Sequence, residues 1–176
     1  MACLTGLLAQ ARIYLPWTPV PITGQTIAVM LAGMLLGKCW GGISMAIYGI
    51  MGIAGIPWLS GATSGWGPTS GYLLGFILAA LLIGHFSENY ADNPDIIRLF
   101  VVMLMASFLV YIPGMLWLNL YLTLVKQQSA ALLTSIQIGI LPFISGDIIK
   151  AAVAAGIARI LLPKNASNLM KQTPRS

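Results

Sequence analysis

Residues 97–122, IRLFVVMLMASFLVYIPGMLWLNLYL, carry a single charge, Arg98, close to their start. A helix needs about 20 apolar residues to cross roughly 30 Å of hydrocarbon. This run is therefore long enough to span a bilayer and too apolar for the surface of a protein in water. The rest of the chain has the same texture. Hydrophobic residues fill 58% of the 176 positions, while Asp, Glu, Lys and Arg fill 7%, against about 25% in an ordinary soluble domain. Nine basic and four acidic side chains cannot coat such a chain in water. A soluble globular enzyme, a disordered tail and a coiled coil are thereby excluded. An all-α integral membrane protein remains, because lipid demands that every backbone polar group be satisfied within the chain.

Hydropathy predicts six spans, at about 1–15, 22–37, 41–56, 71–87, 97–122 and 143–162, forming a six-helix transmembrane bundle in one domain over 1–176. The first is short and lacks the basic n-region of a signal peptide, and it leaves open a start upstream of Met1. The third carries Gly49, Gly52 and Gly55 at three-residue steps. The fifth is expected to kink or break near Pro113-Gly114. Residues 126–141 read as a re-entrant or interfacial helix, and 164–176 as a polar tail.

An even number of spans puts both termini on one side. With that side cytoplasmic, the inner face holds Lys38, Arg98, Arg159, Lys164, Lys171 and Arg175, and the outer face only Arg12 and Lys126. This is the positive-inside bias, and it predicts a multi-pass plasma-membrane protein with cytoplasmic termini. It also accounts for the net charge of +5: the basic residues are scattered, with no patch for nucleic acid. Cys3 and Cys39 have no metal-ligand spacing and read as small apolar helix residues.

Two outer loops stand out. Residues 13–24, IYLPWTPVPITG, and 57–70, PWLSGATSGWGPTS, mix Trp, Pro, Gly, Ser and Thr with no charge. Trp17 and Trp58 suit an interfacial aromatic belt. They equally suit a stiff, uncharged lid over a small organic ligand.

Beneath that lid lies the run PFISGDIIKAAVAAG, with Asp147 and Lys150. A charge inside an apolar span costs about 2.5–3.5 kcal/mol on insertion scales and normally faces a cavity or a partner. At i, i+3 the two side chains share one helix face, about 6–11 Å below the outer end of the span. Three readings are open: an ion pair that only neutralises itself, a proton relay, or a ligand site. The relay lacks a second buried carboxylate or His. The self-paired couple would be worse than two apolar residues if it faced lipid. A ligand site is favoured, offering an acceptor for N–H groups and a donor for a carbonyl or carboxylate. Gln25, Tyr72, Tyr111 and Trp117 are weaker polar signals at the same level, and His85, near the inner end, is assigned no role. Among the small-xxx-small pairs, Ala2 and Gly6 are the candidate seam for docking another membrane subunit.

Other classes fail on residue inventory. No GxSxG occurs, and one His with one buried carboxylate cannot build a hydrolase. A channel's repeated polar pore face is absent, as are the matching halves of a duplicated secondary transporter. Without GxxxxGK[ST], any ATP hydrolysis must come from a partner.

The runs LPWTPVPITGQT (15–26), LAGMLLG (31–37), GPTSGYLLGF (67–76) and GDIIK (146–150) together resemble the BioY family of biotin-capturing S components of energy-coupling-factor (ECF) transporters. The likeness runs over roughly 9–162. It implies the ECF S-component fold, no catalytic residue, no metal or cofactor, and biotin as the transported ligand. Biotin would be held by Asp147 and Lys150, with Tyr72, Thr63 and Ser64 as nearest counterparts of the family's loop contacts. Gln25 and Trp17 join this set from the loop 15–25. It further implies a transmembrane coupling protein and ATP-hydrolysing subunits as partners, docked through the first helix, where Ala2 and Gly6 lie. Leu73 departs from the pattern, since some relatives carry an Arg there that meets the ligand. The alternatives are an S component for another vitamin, such as riboflavin or thiamine, and a structural membrane protein without transport.

Overall fold

The computed structural model describes residues 1–60, 63–90, 95–125, 127 and 132–161. Helix α1 covers Ala2–Leu8, strands β1 and β2 are Arg12–Ile13 and Ile22–Thr23, and α2 covers Gln25–Ile53. Then follow α3 (Ser70–Tyr90), α4 (Ile96–Leu124), α5 (Leu132–Gly139) and α6 (Leu141–Leu161). Among the described residues four helical segments are long and apolar enough to cross a membrane: Gln25–Ile53, Ser70–Asn89, Ile96–Leu124 and Leu133–Leu161.

Helix α2 contains the two expected spans 22–37 and 41–56 and folds back on itself. Gly37 has φ 75° and ψ −175°, a conformation that favours glycine because a Cβ is disfavoured there. The Gln25 amide nitrogen lies 2.6 Å from the Tyr48 hydroxyl, whereas 23 residues of straight helix would separate them by about 34 Å. The two limbs are therefore antiparallel. Helix α3 pins the turn. Ser87 donates to the Met34 carbonyl at 2.8 Å, and the Glu88 carboxylate accepts the Lys38 backbone N–H at 2.7 Å. The end of one limb and the start of the next each gain a partner for a backbone group the break leaves open.

Glycines let the helices close up. A Cβ at Gly33 would lie 2.6 Å from the Ala80 carbonyl oxygen of α3, and one at Gly75 would lie 2.7 Å from Val110 of α4. Small residues allow this approach where lipid supplies no hydrophobic drive between helices. Tyr48, Met45, Ile83, Met103 and Leu118 fill the core. The opposite face of α4 is apolar as well: Val101, Met105, Phe108, Ile112, Leu116 and Leu120 recur every three or four residues, each about half exposed. Such a stripe is at home in lipid, not water.

The layout differs from the sequence reading in four places. The first span, expected over 1–15, is helical only over Ala2–Leu8. The Gly24 N–H donates to the Leu8 and Ala11 carbonyls, and the chain leaves the helix to pair Arg12 with Thr23 and Ile13 with Ile22. That two-stranded ladder is a small exception to an all-α architecture. Of the kink or break expected near Pro113-Gly114, the break does not occur: α4 runs through Pro113 as one element, as long membrane helices tolerate when neighbours serve the freed backbone group. The interfacial helix expected over 126–141 is the short α5, within a stretch continuous with α6. Asp92, Lys126, Lys164, Lys171 and Arg175 lie outside the described residues.

Candidate functional site

Asp147 sits about 9 Å along α6 from Leu141, with only 4% of its surface exposed. The Lys150 ammonium is 2.8 Å from Asp147 Oδ1, so the intrahelical ion pair does form. It is not the whole arrangement. The Tyr111 hydroxyl of α4 donates a hydrogen bond to Asp147 Oδ2, and Thr26 Oγ1 of α2 lies 3.5 Å from Oδ1. Three helices thus converge on one carboxylate. The pair lines a cavity, and the further bonds from Tyr111 and Thr26 offset part of the desolvation cost of a buried couple.

This inner cavity, about 60 Å³, is lined by Asp147, Lys150, Tyr111 and Thr26, by apolar Phe76, Leu73, Val110 and Phe143, and by Val20, Pro21, Leu59 and Ser60 from the loops. A second cavity of about 310 Å³ lies against it and shares Pro21, Leu59, Ser60 and Thr69; its other walls include Tyr14, Thr63, Ser64 and Trp66. The loops are held in place by hydrogen bonds. Thr18 donates to the Ile138 carbonyl at 2.6 Å, and Trp117 to the Gly67 carbonyl at 2.8 Å.

The residues singled out from sequence fall into distinct places. Asp147, Lys150, Tyr72 and Gln25 all line the inner cavity. Two of them are already engaged elsewhere. The Tyr72 hydroxyl donates to the Gly139 carbonyl at 2.8 Å, tying α3 to α5. The Gln25 amide accepts from Thr23 at 2.7 Å and donates to Tyr48 at 2.6 Å. Thr63 and Ser64 line the outer cavity. Trp17 is 62% exposed and lines neither. Gly6 is buried beneath Trp58, whose Cβ would lie 3.2 Å from an added Cβ; it faces into the protein and presents no open seam. Ala2 beside it is half-buried.

In the sequence alone Tyr111 is a weak signal, and Thr26, Phe76, Phe143 and Ser60 carry none. Nothing in the local pattern separates Tyr111 from an interface tyrosine. Its part depends on which way α4 turns toward α6. Among the described residues no group of three His, Cys, Asp or Glu could hold a metal.

Fold and site together define a multi-pass helical membrane protein with a largely apolar cavity, holding one buried ion pair, set beneath two uncharged loops. The BioY family profile matches residues 1–166. The chain is 41% identical over 139 residues to the protein named probable biotin transporter BioY in Methanothermobacter thermautotrophicus, covering 76% of this chain and 88% of the relative. It is 35% identical over 156 residues to the protein named biotin transporter BioY in Thermotoga maritima, covering 86% of each. Its fold is similar to a crystal structure of the S-component for biotin from an ECF-type ABC transporter, with TM-score 0.78 and 28% identity over 97% of this chain and 87% of that one. The chain belongs to the BioY family, whose named relatives are transporters, not enzymes.

Proposed function

We propose that this protein captures biotin at the outer face of the plasma membrane and delivers it inward as the S component of an ECF-type transporter. The observation that carries this reading is the Asp147–Lys150 pair, held by Tyr111 and facing a cavity of apolar and aromatic walls. Biotin offers two ureido N–H donors and a ureido oxygen, which match a carboxylate beside an ammonium. Its fused rings and thioether suit Phe76, Phe143 and Leu73. The relatives' names and the solved S-component support the same ligand.

Among the described residues the two limbs of α2, α3, α4 and α6 supply five crossings; α1, seven residues long, rises only about 10 Å and does not cross on its own, and the C-terminus lies on the cytoplasmic side. A transmembrane coupling protein and ATP-hydrolysing subunits supply the drive, since the chain has no phosphate-binding loop of its own. With Gly6 turned inward under Trp58, docking through α1 would use its outer face, where Leu7 and Cys3 are exposed.

Calorimetric titration of the detergent-purified chain with biotin, and with riboflavin and thiamine as competitors, tests the ligand. Saturable biotin binding that neither competitor displaces is expected. Tight riboflavin or thiamine binding, or a folded protein silent to biotin, would reject it.

A further inference from the structure

We infer, resting on the biotin reading above, that this site recognises the ureido head and leaves the carboxyl end unread, so that biotin in amide linkage is also a ligand. Nε-biotinyl-lysine is the representative of that class.

A cavity of about 150 Å³ holds one benzene, so the inner cavity, about 60 Å³, cannot enclose a fused bicycle with its tail. The ligand then has to reach past the wall residues that the two cavities share, Pro21, Leu59, Ser60 and Thr69, into the outer cavity of about 310 Å³. Charge then decides which end goes in. Among the described residues lining either cavity, Asp147 and Lys150 are the only charged ones, and they already neutralise each other at 2.8 Å. A carboxylate brought into the inner cavity would leave one buried negative charge without a counter-ion. A ureido group adds none: its N–H groups meet Asp147, and its oxygen meets an N–H of Lys150 not used in the pair. Leu73, buried on the α3 side of that cavity, supplies no cation.

The tail therefore lies outward. At this shared wall the Ser60 hydroxyl is buried and, among the described residues, has no hydrogen-bond partner. A hydroxyl both donates and accepts, so it serves an amide as well as a carboxylate. Beyond it the outer walls are uncharged, with Thr63, Ser64 and Trp66. Arg12 stacks over the Tyr14 ring at 5.4 Å but is exposed and lines neither cavity; water screens its pull on a carboxylate.

The test is calorimetry on the full chain in detergent with biotin and Nε-biotinyl-lysine, each on the parent protein and on Ser60→Ala. The conjugate should bind within about tenfold of biotin, less than the roughly 1.4 kcal/mol that a tenfold change represents. Ser60→Ala should weaken both ligands by the same factor. A conjugate weaker by more than tenfold, or a Ser60→Ala effect confined to biotin, overturns the inference while leaving biotin as the ligand. A folded protein that binds neither removes the biotin reading, and this inference with it.

Discussion

Asp147→Asn is the sharpest perturbation available, because it changes charge with little change in shape. In the parent protein the carboxylate takes the Lys150 ammonium at 2.8 Å, the Tyr111 hydroxyl, and Thr26 at 3.5 Å. An Asn offers one acceptor oxygen where there were two, and Lys150 and Tyr111 compete for it. A ligand N–H then finds no free acceptor. It loses a hydrogen bond to a charged group, worth about 1.5–3 kcal/mol, which raises Kd about 10- to 150-fold at 1.4 kcal/mol per tenfold. Stability falls too. Breaking a buried pair costs about 3–5 kcal/mol, and the low end applies because the Lys150 side chain keeps 13% of its surface exposed. Those two losses must be separated. The double variant Asp147→Asn, Lys150→Met removes both charges, so it should unfold at a higher temperature than Asp147→Asn alone and still bind poorly. Calorimetry with biotin and thermal unfolding in the same detergent read both quantities. Parent-like affinity in Asp147→Asn, within threefold, would refute the assignment of this carboxylate to the ligand.

The remaining predictions concern the frame of the site. Tyr111→Phe removes the donor to Asp147 Oδ2 and should cost about 1.5–3 kcal/mol, read as a lower unfolding temperature together with weaker binding; a silent variant would mean the hydroxyl does not hold the carboxylate. Trp58→Ala should destabilise by about 3 kcal/mol, since the ring covers Gly6, stacks 5.4 Å from Tyr48 and donates to the Tyr48 carbonyl at 3.0 Å. Trp17→Ala, at an exposed residue outside both cavities, should leave affinity unchanged, and a loss of binding there would show that the loop closes further than described. Gly33→Ala forces a Cβ to 2.6 Å from the Ala80 oxygen and should cost about 1–3 kcal/mol. Gly156→Ala, with nothing within 4 Å, should be neutral or slightly stabilising, and equal melting temperatures for the two would contradict the α2–α3 packing.

Much of this architecture is written in contiguous stretches of chain. The apolar runs at 71–87 and 97–122 foretold α3 and α4 to within a few residues, because insertion free energy sums over neighbours in sequence. The separation of 22–37 from 41–56 survives as two limbs turning at Gly37. Asp147 and Lys150 were visible for the same reason: a charge in an apolar run is costly wherever the helix ends up, and i, i+3 spacing alone puts both on one face.

Tertiary structure decided what those residues meet. Tyr111 reaches Asp147 across 36 positions of sequence, and only the rotation of α4 against α6 makes it a partner instead of an interface anchor. Gln25 lines the cavity, yet its amide is engaged with Thr23 and Tyr48 because the fold at Gly37 brings the two limbs together. Gly6, which in sequence looked like a seam for a partner, lies under Trp58. Burial cost and helical spacing act along the chain and can be read from it. The direction each helix faces follows from how side chains far apart in sequence pack against one another. In lipid both faces of a helix are apolar, so no local pattern of polarity marks which one turns inward.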